Sequence, residues 1–138
     1  MDKTIILEEI PSAKDYNKLT DKVGWGVREE KIVENALKNS LYCVTVYSSN
    51  ELIGFGRIIG DKTIFLYIQD VMVTPEYQNK KIGTQIMKKL LEKINEFKAG
   101  NPNIRTYLGA SKGKEDFYKR FGFKTRKEAN LGEGMILF

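Results

Sequence analysis

Apolar positions along this 138-residue chain recur with two periods, and the changes between them mark its elements. Thr4 to Glu9 alternate weakly and read as a first strand. Ser12 or Asp15 is placed to cap a short helix running to about Lys22, since either side chain can accept from an unpaired N–H of the first turn. Val23-Gly24-Trp25-Gly26 breaks the pattern. Arg28 to Asn39 returns to helical spacing, with Ile32, Ala36 and Leu37 on its inner face. Three strands then follow: Leu41 to Ser48, Leu52 to Ile59 and Ile64 to Val73. Ser49-Asn50-Glu51 and Gly60-Asp61-Lys62 turn between them. Turns that short make the three strands an antiparallel meander.

The strongest periodicity runs from Gly83 to Lys98. Ile82, Ile86, Leu90, Ile94 and Phe97 form one stripe, with Met87 and Leu91 beside it, and Gly100-Asn101-Pro102 ends the helix. Ile104 to Ala110 reads as a strand, and Lys114 to Phe121 as a short helix ended by Gly122. Phe123 opens an expected last strand, and Gly132-Glu133-Gly134 leads into Met135 to Phe138. The order is β-α-α-β-β-β-α-β-α-β. The long helix is a crossover, so the strands flanking it can lie parallel. The expected architecture is one α/β (α+β) domain over residues 1–138, a mixed and mostly antiparallel sheet with helices on both faces.

Composition narrows the function. Hydrophobic residues make up 41% and charged residues 30%, the balance of a soluble globular domain. No apolar run approaches the ~20 residues of a membrane span, so no membrane role is expected. The opening MDKTIILEEI meets Glu8 and Glu9 at once and reads as a strand rather than a signal peptide. One cysteine leaves no internal disulfide and suits a reducing cytoplasm. The absence of histidine removes histidine-based catalysis and histidine metal sites, and no metal is expected. The net charge of +5 is scattered among 18 acidic residues, which argues against nucleic-acid binding and suits a polyanionic cofactor.

Such a cofactor has an obvious seat. After Thr74-Pro75, a polar loop from Glu76 to Lys81 leads into Ile82-Gly83-Thr84 at the start of the long helix. Unpaired N–H groups and the positive end of the helix dipole face an anion there, and Lys80 and Lys81 add formal charge. The segment Val73-Thr74-Pro75 followed by Gln78-Asn79-Lys80-Lys81-Ile82-Gly83 resembles motif A of the GNAT superfamily of acyl-CoA-dependent N-acyltransferases. Phe117-Tyr118-Lys119-Arg120-Phe121-Gly122-Phe123 is similar to that family's later Tyr-x-x-x-Gly-Phe element. The resemblance covers roughly Leu52 to Phe123. Lys81 stands where the first glycine of motif A usually sits, and its N–H can face a phosphate provided that φ need not be positive.

The resemblance implies a parallel strand pair that splays to admit the thioester arm of acetyl-CoA or coenzyme A. The N–H groups of Val71 and Val73, either side of Met72, would hold the pantetheine and polarise the carbonyl. Gln78, Asn79, Lys80, Lys81, Ile82, Gly83 and Thr84 would take the pyrophosphate. Ser111 replaces a cofactor-contacting asparagine and Lys114 an alanine, although Lys112 or Lys114 could reach a phosphate. Phe117 falls beside the cofactor by position, or fills the core with Phe121.

Other residues suggest chemistry by their own placement. Gln69 and Asp70 interrupt an apolar strand, where neighbours face opposite sides. A buried carboxylate there must be paired, protonated or functional. Asp70 could take a proton from an amine directly or through water, or be satisfied structurally by loop N–H groups. Tyr118 stands where many family members hold the acid that protonates the leaving thiolate, or it packs on Phe121 and Phe123. By resemblance Trp25, between two glycines, belongs to the acceptor pocket, with Gln69 and Tyr107 as further substrate contacts; Trp25 could equally fill the core. Cys43 in its apolar strand reads as a small hydrophobe rather than a nucleophile. Gly54, Gly56 and Gly60 have the wrong spacing and setting for a dinucleotide fingerprint.

The expected function is transfer of an acetyl group from acetyl-CoA to a small-molecule primary amine by direct attack. The whole chain also resembles small bacterial members sharing Tyr67-Ile68-Gln69-Asp70-Val71, the early Gly24-Trp25-Gly26 and the late Gly132-Glu133-Gly134-Met135, a group to which plant serotonin N-acetyltransferases are similar. That points to an arylalkylamine or polyamine. The alternatives are a peptide or protein lysine, or a non-catalytic acyl-CoA-binding sensor. The resemblance also admits a homodimer.

Overall fold

Short hairpins join the three strands that follow the first two helices, so these strands pair in sequence order. The computed structural model describes residues 3–138. It contains β1 (Thr4–Leu7), α1 (Ala13–Lys22), α2 (Glu30–Lys38), β2 (Tyr42–Ser48), β3 (Glu51–Gly60), β4 (Phe65–Val73), a 3₁₀ turn (Pro75–Tyr77), α3 (Ile82–Gly100), β5 (Arg105–Leu108) and α4 (Glu115–Lys119). The five-stranded sheet has the order β1-β2-β3-β4-β5. Strands β1 to β4 pair antiparallel, and β5, delivered by the α3 crossover, lies parallel to β4. The mixed, mostly antiparallel sheet is therefore the expected one. Two compact units are distinguishable, one through Tyr107 and one from Leu108 to Phe138.

In the first unit, alternation along β3 decides what packs on each face of the sheet. Gly54 and Gly56 lie under Ile82, Ile86 and Leu90 of α3. Phe55 points the other way, edge-on to Tyr16 of α1 with ring centroids 5.6 Å apart. On that face Ala13, Tyr16 and Leu19 of α1 and Val33 and Leu37 of α2 form a core with Cys43, Leu52, Phe55 and Met72. Helices thus cover both faces. Ser12 caps α1 as its sequence implies, accepting from the Asp15 N–H at 3.0 Å. On α3 the stripe Ile82, Ile86, Met87, Leu90 and Ile94 is buried, while Phe97 is half-buried with Lys62 and Lys93 over its ring.

Two expectations are corrected. Helix α2 starts at Glu30, and its buried face is Val33 and Leu37, one turn apart; Ile32, a step of about 100° round the helix, is 54% exposed. The last strand does not form among the described residues. Thr125 and Glu128 exchange bonds instead: the Thr125 N–H donates to Glu128 Oε1 at 2.9 Å and the Glu128 N–H to Thr125 Oγ1 at 3.1 Å. This capping-box pair winds residues 125–131 into turns that close on Asn130 at φ +59°. Met135 to Phe138 follow without regular structure and exposed.

A Cβ added at Gly56 would lie 2.8 Å from Ile86 Cγ2 and 3.1 Å from Leu90 Cδ1. Gly56→Ala should therefore push α3 off the sheet and cost about 1–3 kcal/mol. Gly100→Ala, with nothing within 4 Å, should cost nothing. Urea unfolding of the two variants beside the parent checks this.

Candidate functional site

Strand β4 carries a defect at its functional end. Arg57 of β3 pairs with Gln69, but Phe55 pairs with Met72, so Asp70 and Val71 together stand against Gly56. Two residues against one make a β-bulge. Asp70 absorbs the extra residue with φ +59°, a left-handed conformation that aspartate tolerates better than most residues. The bulge cancels the alternation expected of neighbours. Gln69 shares a face with its cross-strand partner Arg57. The Asp70 side chain turns to that same face, toward α1 and α2.

There Asp70 is paired. Its Oδ2 accepts from Arg57 Nε at 2.6 Å and from the Tyr16 hydroxyl at 2.9 Å. Arg57 Nη1 also donates to the Ala36 carbonyl and to Ser40 Oγ, each at 3.2 Å. Desolvation, and next the negative charge of Asp70, hold the Tyr16 phenol well above its ordinary value, so it remains a donor at neutral pH. The partners of Asp70 are thus an arginine and a tyrosine rather than the loop N–H groups expected of a structural role. Sequence reasoning missed both. Arg57 carried a signal, as the one charged residue inside the apolar run from Leu52 to Ile59. Cys43 is buried and its thiol raised, chiefly by desolvation, as a small core hydrophobe should be.

From the bulge onward, Val71 and Val73 are half-buried and Met72 buried. The buried Thr74 donates its N–H to the Ile53 carbonyl at 2.8 Å and its hydroxyl to Glu76 at 2.6 Å. Gln78 reaches back with its amide to the Val73 carbonyl at 3.0 Å, and Lys80 lies over the Tyr77 ring at 5.2 Å. These contacts shape the loop before α3. Asn79 and Lys81 both have positive φ, +64° and +65°. The condition placed on Lys81 is not met: it holds the left-handed conformation that a glycine would take freely. Lys81 is the N-cap of α3, no side chain caps the helix, and the first intrahelical bond runs from the Gln85 N–H to the Lys81 carbonyl. The N–H groups of Ile82, Gly83 and Thr84 therefore point out of the helix start, beside two exposed lysines. This arrangement suits a pyrophosphate.

The remaining substrate candidates are also placed. Trp25 is 47% exposed, which removes the core alternative, and sits between Gly24 and Gly26, both at positive φ. Tyr107 on β5 stands with Phe65 and Tyr67 of β4 at centroid distances of 5.9 and 6.3 Å. Phe65 and Tyr67 are exposed and alternate with Gln69 along one face.

In the second unit the Lys114 N–H donates to the Ser111 carbonyl at 2.9 Å, and Lys114 is the N-cap of α4. Phe117, half-buried, stacks edge-on with Tyr118 at 5.0 Å and Phe121 at 5.3 Å. Tyr118 also meets Phe123 edge-on at 6.4 Å. Burial raises the Tyr118 phenol above its ordinary value, and no hydrogen bond engages its hydroxyl among the described residues.

A family model described as "Acetyltransferase (GNAT) domain" matches residues 20–138. "GCN5-related N-acetyltransferase 2, chloroplastic" of Arabidopsis thaliana is 30% identical over 86% of this chain and 52% of its own length. The chain spans about half to two thirds of the length of the curated relatives it matches. A crystal structure of SA2161 from meticillin-resistant Staphylococcus aureus, a protein of unknown function described as a probable acetyltransferase, superposes with a TM-score of 0.86 at 28% identity, covering 99% of this chain and 100% of that one. A GNAT family N-acetyltransferase, YhbS of Escherichia coli, solved with CoA, shares the fold at a TM-score of 0.71 and 19% identity, over 96% of this chain and 74% of that one.

The strain at Lys81 is testable. Lys81→Gly relieves about 1 kcal/mol of left-handed strain and adds a similar unfolded-state entropy, so stability should hold or rise slightly. Lys81→Val places a β-branched residue in the same conformation and should cost about 1–3 kcal/mol. Chemical denaturation midpoints distinguish the two.

Proposed function

Since the chain belongs to the GNAT acetyltransferase domain family, we propose that it transfers the acetyl group of acetyl-CoA to a primary amine. The carrying observation is the uncapped start of α3, with Ile82, Gly83 and Thr84 N–H groups beside Lys80 and Lys81, directly after the bulged end of β4. The first feature suits a pyrophosphate; the second suits an acyl arm laid along Val71 to Val73. The family match crosses from the first unit into the second, which supports reading residues 1–138 as a single acetyltransferase domain.

The reaction follows from these parts. The neutral amine nitrogen attacks the thioester carbon, and the carbonyl electrons shift onto oxygen, where the N–H groups of β4 hold the developing charge. Collapse breaks the C–S bond. The thiolate takes a proton from Tyr118, and the nitrogen loses one to Asp70 or a water, leaving an amide and coenzyme A. The Asp70 carboxylate, already paired with Arg57, is placed to hold a cation or a water, and we take the water as the final acceptor. Ser111 and Lys114 stay assigned to the cofactor by position. Trp25, Gln69 and Tyr107 stay assigned to the acceptor. The exposed rings of Phe65 and Tyr67 with Tyr107 favour an arylalkylamine over a polyamine, since planar rings stack on such a surface. No helix among the described residues is long and apolar enough to cross a membrane. The single cysteine supports our placing the protein in a reducing compartment such as the cytoplasm.

Thiol release from acetyl-CoA across arylalkylamines, polyamines and a lysine peptide tests the proposal, with calorimetric coenzyme A binding beside it. Release with arylalkylamines is expected. Cofactor binding with no release from any amine would identify a sensor module instead, and release only with the lysine peptide a protein acetyltransferase. Tyr118→Phe should lower kcat by about 100-fold or more, the range of a lost general acid, with coenzyme A affinity within about twofold. Tyr118 is protonated below its raised value and loses its proton only as pH climbs through that value. The parent rate should therefore fall on the alkaline side as pH climbs through that value, and Tyr118→Phe should abolish that alkaline fall.

A further inference from the structure

The Asp70 carboxylate is held asymmetrically. Both of its hydrogen bonds, from Arg57 Nε and the Tyr16 hydroxyl, fall on Oδ2. Among the described residues no hydrogen bond falls on Oδ1, and that atom is not sealed from solvent; the side chain keeps 16% of its surface exposed. The two donors come from different layers. Tyr16 rises from α1, wedged edge-on against Phe55. Arg57 comes from β3 and is itself tied to the end of α2 through Ala36 and Ser40. A carboxylate with one oxygen saturated and the other open has little rotational freedom left. Its open lone pairs have a fixed direction, on the face that also carries Gln69.

We propose that Tyr16 and Arg57 are positioning residues that fix Asp70 so that its free oxygen receives the acceptor amine as a cation. The inference rests on the acetyltransferase reading above and adds to it the charge state in which the acceptor arrives. Asp70 recognises an ammonium group. The ammonium then yields its proton through solvent before attack, and Tyr16 and Arg57 touch neither substrate nor cofactor. The acceptors selected are primary amines that are protonated in solution, and neutral amines such as anilines are poor ones. The same bonds hold the left-handed turn at Asp70, so the bulge and the acceptor anchor are one construction.

A double-mutant cycle tests this. Tyr16→Phe keeps the ring against Phe55 and removes only the hydroxyl. It should lower kcat/KM for the amine by about tenfold, the effect of one lost hydrogen bond to a charged group, through the KM of the amine and with the KM of acetyl-CoA changed less than about twofold. In an Asp70→Asn background the same substitution should cost less than about twofold, because residues acting through one partner are not additive. Arg57→Gln should behave alike, and Arg57→Lys should recover part of its loss. Equal losses from Tyr16→Phe in both backgrounds, or a parallel rise in the KM of acetyl-CoA, would overturn the inference while leaving the enzyme intact. If Tyr16→Phe does not fold, the Arg57 variants decide by the same criterion. No turnover of any amine by the parent protein would overturn the acetyltransferase reading, and this inference with it.

Discussion

Two residues of β4, Asp70 and Val71, stand against a single residue of β3, Gly56, and much else in the first unit depends on that mismatch. Gly56 has no side chain, so Ile86 and Leu90 of α3 can settle directly on the strand. The surplus residue is taken up by Asp70 in a left-handed turn. That turn would be costly if nothing held it. Arg57 and Tyr16 hold it: Asp70 Oδ2 joins α1, β3 and β4, and Arg57 carries the link on to the end of α2 through the Ala36 carbonyl. The strand that carries the bulge and the helix that settles on Gly56 are thus arranged around the same local defect.

Periodicity carried much of this fold in advance. The α3 stripe, the antiparallel meander and the crossover into a parallel β5 all follow from spacing and turn length, because buried faces leave periodic traces. The basic loop at the start of α3 was legible in the same way, although its missing side-chain cap was not. The bulge was not legible. A register shift leaves no mark in one strand's pattern, since it is a relation between two strands. For this reason Gln69 and Asp70 were expected on opposite faces and lie on one.

Other departures have local causes. Residues 125–131 contain Thr125 and Glu128 three apart, and the reciprocal bonds of that pair turn a stretch that otherwise has a strand-like beginning at Phe123. Helix α2 starts two residues later than expected, and its packing buries Val33 with Leu37 and leaves Ile32 exposed. Lys81 has a conformation that its residue type disfavours, so its identity alone pointed away from the geometry the loop adopts. Asp70 and Lys81, which we propose for the acceptor and the cofactor, both hold left-handed conformations, the kind of strain commonly stored at functional sites.

The loop bearing Trp25 is anchored at its far end by a side chain acting as backbone. The Asn17 amide donates to the Arg28 carbonyl at 2.8 Å and accepts from the Arg28 N–H at 3.2 Å, while the Trp25 N–H is held by the Thr20 carbonyl at 2.9 Å. The chain's single indole is therefore fixed in position with nearly half of its surface in water. Its fluorescence comes from one known place, with no second tryptophan to blur it. Whatever settles over that loop changes the colour and intensity of the emission, giving the protein an optical gauge that needs no attached dye.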